Sequence, residues 1–156
     1  MAYASVRTDN MSGTTLGKNL VSLKYSADIE NGCVLAVGGY ESAAREVRVA
    51  SAPGAETPLG ELALIASEEV VKSKKANGLN DFINEQGSIL RGYRFVKGDI
   101  FSVTKEAFAS GGGTAAVGQV ASIKNAVKMT LATAGVGTTI GSVVHIEGKW
   151  IAIEVA

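Results

Sequence analysis

Residues 23–32 read Leu-Lys-Tyr-Ser-Ala-Asp-Ile-Glu-Asn-Gly, and their alternation decides the fold class. Leu23, Tyr25, Ala27 and Ile29 fall on one side of an extended chain, with Lys24, Ser26, Asp28 and Glu30 on the other. A period of two with one apolar face marks a strand half buried in a sheet. Asn31-Gly32 then supplies a two-residue hairpin turn, since both residue types tolerate positive φ. Folded about it, the chain returns through Cys33, Val34, Leu35, Ala36 and Val37 to Gly38-Gly39, pairing Ile29 with Val34 and Glu30 with Cys33.

The same pattern extends outward. Arg45, Val47 and Val49 alternate with Glu46, Arg48 and Ala50. Both prolines, Pro53 and Pro58, fall in a loop over residues 51–60, and Leu62-Ala63-Leu64-Ile65-Ala66 suits a strand buried on both sides. A polar segment over 67–78 precedes Leu79, Phe82 and Ile83, whose helical spacing with Gly87 as a stop predicts one short helix. Residues 89–103 predict a second hairpin around Lys97-Gly98-Asp99, pairing either Phe95 with Ile100 or Val96 with Phe101. Thr104 is placed to cap another short helix through Phe108, ended by residues 110–113. Val127, Met129, Leu131 and Thr133 alternate once more. A closing hairpin turns at Gly148-Lys149, with Ile146 facing Ile151 and Val144 facing Ile153 on the core side. Glu147 opposes Trp150, and His145 opposes Ala152, on the outer side. The expected fold is all-β with one or two short helices, a small β-barrel or β-sandwich.

Residues 1–20 have no sustained period. They are rich in Ser, Thr, Gly and Asn, with scattered Tyr3, Val6 and Leu16, and read as an extended N-terminal arm. Such an arm orders on a partner by adding a strand to an exposed edge, and its removal would leave the stability of the rest unchanged. Residues 21–156 form the β-rich domain. Within it, the Gly-rich segment 110–118 is either a surface loop or the link to a smaller C-terminal lobe, 119–156.

Charge and composition narrow the function. The 156 residues hold 15 Lys plus Arg against 15 Asp plus Glu, so no global basic field draws the chain onto nucleic acid. With 46% hydrophobic and 19% charged residues it can bury enough surface to fold. No apolar run is long enough to span a bilayer, and the first ten residues lack a signal-peptide pattern, so a soluble protein made inside the cell is expected. A single cysteine, Cys33, allows neither an internal disulfide nor a multi-cysteine zinc site. His145 is the only histidine and no Gly-x-Ser-x-Gly elbow is present. Gly135, Gly137 and Gly141 lack the spacing of a dinucleotide loop and no crossover helix follows them. Glu68-Glu69 read as solvated carboxylates and Asp99 as a turn residue. No catalytic, cofactor-binding or metal-binding residues are therefore expected.

Arg91-Gly92-Tyr93-Arg94-Phe95 interleaves basic and aromatic residues. In a neutral chain this favours a protein contact or a cation–π pair over single-stranded nucleic acid. The candidate partner-binding residues are Tyr3, Val6, Leu16, Arg91, Tyr93 and Trp150.

The order of these features resembles the small auxiliary head proteins of tailed bacteriophages, the decoration or cement proteins. The likeness covers residues 20–108. It rests on the strand into Ile29-Glu30-Asn31-Gly32, the Pro-bearing loop, the Leu62–Ala66 strand, Asn80-Asp81-Phe82, Arg91-Gly92-Tyr93 and the run from Lys97 to Thr104. The resemblance implies a non-enzymatic protein of the capsid surface, made in the host cytoplasm. Its partner would be the major capsid protein, with self-association on the lattice, as trimers at local three-fold positions, and no membrane or nucleic-acid partner. Two other readings stand beside it. One is a tail-tube or head–tail connector component; the other is a small-molecule or glycan-binding barrel lined by Tyr93, Phe95, Phe101 and Trp150. The closing hairpin offers a direct check: Gly148→Val is expected to cost about 1–2 kcal/mol, because Val resists the positive φ of that turn position. A melting temperature equal to the wild type would argue against that turn.

Overall fold

The computed structural model describes residues 2–43, 45–69, 81–109 and 114–156. Eleven strands lie among the described residues: β1 (Val6–Arg7), β2 (Leu20–Lys24), β3 (Val34–Tyr40), β4 (Val47–Ser51), β5 (Leu62–Ile65), β6 (Ile89–Arg94), β7 (Ile100–Thr104), β8 (Val120–Ile123), β9 (Thr130–Ala132), β10 (Thr138–Glu147) and β11 (Trp150–Val155). Five of them close a barrel in the order β2-β4-β3-β5-β6. The other six form a sheet in the order β1-β7-β11-β10-β8-β9. The chain is all-β, a small barrel with a sheet packed beside it, as the alternation predicts.

Strand β5 explains why the two units sit together. Its four residues are all fully buried. Leu62 and Leu64 join Val34, Tyr93 and Phe95 of the barrel with Phe101, Val103, Ile140, Ile151 and Ile153 of the sheet in one shared core. Ala63 and Ile65, on the opposite side of the strand, join Val21, Leu23, Leu35 and Leu90 inside the barrel. Gly92 of β6 makes room there, because a Cβ would lie 2.9 Å from both Leu23 and Val21 side chains.

The first expected hairpin does not form. β2 lies between β4, to which it runs parallel, and β6, to which it runs antiparallel; it has no pairing with β3. The alternation ends at Lys24, since Ala27 is exposed, and Ile29 pairs instead with Asn84 through two backbone hydrogen bonds of 2.9 Å. Gly32 has a φ of 87°, but Asn31 stays out of the left-handed region that a type I′ turn needs. The Asn31 side chain is buried and acts as a backbone surrogate. Its Nδ2 donates to the Ser67 carbonyl, and its Oδ1 accepts from Ser67 N and Asn84 Nδ2, each at 3.0 Å.

Nor do β6 and β7 pair in either expected register. Lys97-Gly98-Asp99 carries the chain from barrel to sheet, β6 pairing with β2 and β5 and β7 with β1 and β11. The crossing places Phe95 and Phe101 in the shared core, with ring centroids 5.7 Å apart. Val49 of β4 faces outward while Val47 and Ala50 are buried. The closing hairpin keeps the expected pairs Glu147–Trp150, Ile146–Ile151 and His145–Ala152, with φ 58° at Gly148. A bulge then shifts the register, so Val143 (1% exposed) faces Ile153 and Val144 (38%) turns outward.

Of the helix expected from Leu79 to a stop at Gly87, residues 79 and 80 lie outside the described residues; from residue 82 onward no helix forms, because Phe82 is buried and Asn84 pairs with Ile29 in an isolated antiparallel bridge. The one expected after Thr104 is a single 3-10 turn, Lys105–Ala107, and the Thr104 hydroxyl accepts from Ser5 N (3.1 Å) instead of capping it. The stop expected at 110–113 also lies outside the described residues. The sheet draws β1 and β7 from before the segment 110–118 and β8 to β11 from after it, so that segment is not a boundary between lobes.

The first 20 residues, read from the sequence as an arm, carry β1 and two 3-10 turns, Ser12–Thr14 and Gly17–Asn19, and are built into the fold. β1 adds a strand to the edge of β7 within the same chain, pairing Val6 with Val103 and Arg7 with Ser102. Ala4 and Met11 enter the shared core. The Ser12 backbone N–H and hydroxyl donate to the two Asp99 carboxylate oxygens at 2.9 and 2.6 Å. Ala4 N donates to Glu30 Oε2 (2.9 Å), while Glu30 Oε1 pairs with Lys128 Nζ at 3.0 Å. The reason is the otherwise open edge of β7, whose unpaired groups this segment satisfies. Deleting residues 1–16 is therefore expected to lower the melting temperature by at least about 5 °C, from several unmade buried hydrogen bonds at roughly 1–3 kcal/mol each. Thermal unfolding by circular dichroism checks it; an unchanged transition would mean the segment adds nothing to the core.

Candidate binding surface

The sequence-selected residues do not converge on one place. Tyr3 is half-buried; Val6 packs against the shared core from β1; Tyr93 is a member of that core. Trp150 lies half-buried on the outer face of the sheet, with the Arg7 guanidinium 4.4 Å and the Lys149 ammonium 5.5 Å from its ring. Leu16 and Arg91 are exposed on the barrel side. Tyr93, Phe95 and Phe101 are interior while Trp150 is outside, so these four aromatics line no common pocket.

What does converge is a cleft of about 440 Å³ on the outside of the barrel. It lies across β4, β2 and β6, with the 3-10 turn Gly17–Asn19 at one end and Tyr40 of β3 beside it. Ser22 is register-paired with Val47 on one side and Arg91 on the other, and being small it leaves space between longer side chains. Lys18, Arg48, Arg91 and Arg94 border that space, against a single carboxylate, Glu46.

Two of the cations are held by carbonyls. Arg48 Nε donates to the Gly38 carbonyl (2.8 Å), and its guanidinium lies 5.0 Å from the Tyr40 ring. Arg94 Nη1 donates to the Gly60 carbonyl (3.2 Å). Such contacts orient a guanidinium without neutralising it. Among the described residues, Arg91 alone of the three arginines approaches a carboxylate, Glu68 at 3.6 Å, and both are well exposed. Among the described residues Glu46 reaches only Arg45, at 4.0 Å, with both side chains almost fully solvated, so that pair adds little. The cleft thus concentrates positive charge in a chain whose formal net charge is zero. Its chemistry is recognition of anionic groups by forked donors.

Other chemical candidates stand apart. His145 is exposed mid-strand on β10. Among the described residues, no group of three or more His, Cys, Asp or Glu is placed to hold a metal, and no helix is long and apolar enough to cross a membrane. Asp99 is a buried anchor for Ser12. Cys33 is buried, and its thiol is pushed up to about 12, first by burial and then by the Glu30 charge.

Sequence reasoning selected Arg91 but not Arg94, which strict alternation puts on the other side of the strand, nor their companions. Arg48 is brought to them by the parallel pairing of β2 with β4, Tyr40 by its own pairing with Arg48 across β3 and β4, and Lys18, just before β2, by the antiparallel pairing of β2 with β6; no local pattern announces this assembly. No protein-family model, no curated protein and no solved structure matches the chain.

The raised Cys33 pKa has a definite sign. Between the ordinary 9.0 and about 12 the unfolded chain releases the thiol proton while the native chain keeps it, so stability falls as pH rises through that window. The melting temperature is expected to fall more steeply from pH 9 upward in the wild type than in Cys33→Ala. An aromatic disulfide reagent should label Cys33 only after unfolding; rapid labelling of native protein would contradict its burial.

Proposed function

We propose that the chain is a non-enzymatic structural protein that binds the outer surface of a tailed-phage head and stabilises it. The observation that carries this reading is the division of labour between inside and outside. The barrel and the shared core are filled by the chain's own side chains, while arginine and aromatic groups are presented on the outside of a closed β framework. Such residues are the usual anchors of protein contacts. The likeness of residues 20–108 to head decoration proteins supplies the capsid as partner; those residues include all five barrel strands and β7. Zero net charge suits a protein whose copies crowd on a lattice, and many individually weak contacts add up when copies engage neighbouring capsid subunits together.

The test is sedimentation. Purified full-length protein mixed with undecorated heads, before and after expansion, is expected to pellet with the heads and to raise the temperature at which they release their contents. Failure to pellet with either form would overturn the reading, and closed rings formed by the protein alone would favour a tail-tube or connector role instead.

A further inference from the structure

We infer that the β4–β2–β6 face of the barrel is a docking surface for an acidic, partly apolar segment of a protein partner. The partner's chemistry follows from the face itself; its identity as a capsid subunit rests on the function proposed above. Two independent features coincide there. The first is the cleft of Lys18, Arg48, Arg91 and Arg94, in which no carboxylate among the described residues lies within ion-pair distance of Lys18, Arg48 or Arg94. The second is apolar exposure. Of the seven large hydrophobic side chains exposed among the described residues, four flank this cleft: Leu16 (49%), Tyr40 (71%), Val49 (49%) and Ile89 (62%).

Their positions are fixed by register. Lys24 of β2 is paired with Val49 of β4 and Ile89 of β6, one step along from Ser22 and the cleft. Lys24 is already neutralised by Glu41 at 2.9 Å, so this end of the face is apolar and electrically satisfied. The other end is cationic and unsatisfied. Leu16 immediately precedes Gly17, which lines the cleft, and Tyr40 stacks on Arg48. A matching partner places carboxylates opposite the arginines and apolar side chains opposite Val49 and Ile89.

Two alternatives fit less well. Addition of a partner strand needs a free edge, and β2, β4 and β6 each have neighbours on both sides in the closed barrel. Single-stranded nucleic acid needs several exposed aromatic rings to stack on, and of the aromatics beside these arginines only Tyr40 is exposed, Tyr93 and Phe95 being interior.

The experiment has two arms, each using the full-length protein. In the first, a synthetic peptide alternating Glu with Val, and separately an oligothymidylate, are titrated by calorimetry at low and moderate salt. The peptide is expected to bind, to weaken with salt, and to weaken about tenfold or more in Arg48→Gln/Arg94→Gln and in Tyr40→Ala, with Lys97→Gln on the barrel-to-sheet turn behaving as wild type. Unchanged melting temperatures are expected for all variants, and Tyr40→Ala, at the most exposed of these residues, guards against misfolding of the double variant. Equal peptide binding by wild type and both cleft variants, or tighter binding of the oligothymidylate, would overturn the inference. In the second arm the same proteins are sedimented with undecorated heads. Loss of pelleting in the cleft variants supports the inference, whereas wild type and variants pelleting alike would refute this face as the docking site and leave the capsid reading intact. If wild type fails to pellet, the capsid reading falls and the peptide titration alone decides the cleft.

Discussion

A four-residue strand buried on both faces imposes the architecture. Leu62 and Leu64 of β5 need an apolar cover on one side, and Ala63 and Ile65 need one on the other. Full burial of each Leu or Ile side chain is worth about 1.5–3 kcal/mol, so neither side can be left to water in a chain of this size. Rolling β2, β3, β4 and β6 into a barrel with β5 covers the second face. Covering the first requires the sheet, which obliges the chain to leave the barrel between Phe95 and Ile100 and to bring both β1 and the strands after residue 120 to the same place. The crossing, the shared aromatic contact and the incorporation of the N-terminal residues all follow from that requirement.

This ordering also explains what the sequence made legible. Burial on both sides of residues 62–65 could be read directly, because a continuous apolar run has no solvent face. The Gly148-Lys149 turn could be read because its backbone demand is local. The Asn31-Gly32 hairpin was misleading: the dipeptide permits a tight turn, but the buried hydrogen bonds of Asn31 to Ser67 and Asn84 lie 36 and 53 residues away and outweigh it. The bulge that swaps Val143 for Val144 is likewise invisible in a strict alternation. Of the candidate site, Arg91 was legible as a partner-binding residue and Leu16 as an apolar residue of the N-terminal segment, while strict alternation put Arg94 on the other side of its strand. Arg48, Lys18 and Tyr40 were not, because the pairings that gather them, β2 with β4 and β6 and β3 with β4, leave no periodic trace.

Polar groups at the seams do a different job from those on the surface. Asp99 and Glu30 each tie the N-terminal residues to distant segments, and Lys128 links Glu30 to the Glu106 carbonyl at 2.9 Å. These charges are spent internally. Arg48 and Arg94 of the barrel face are held by carbonyls instead, which keeps their charge for something outside the chain. A net charge of zero thus conceals two populations, one that fastens the molecule and one that is presented.

The division of strands between the two units has a consequence for biogenesis. The barrel is complete once residue 94 has left the ribosome, and its interior cluster draws mainly on residues 21 to 90. The shared core waits for residues 121 to 155. A nascent chain would therefore carry a closed barrel with the outer face of β5 bare, an interval during which a chaperone has an apolar strand to shield until the sheet arrives.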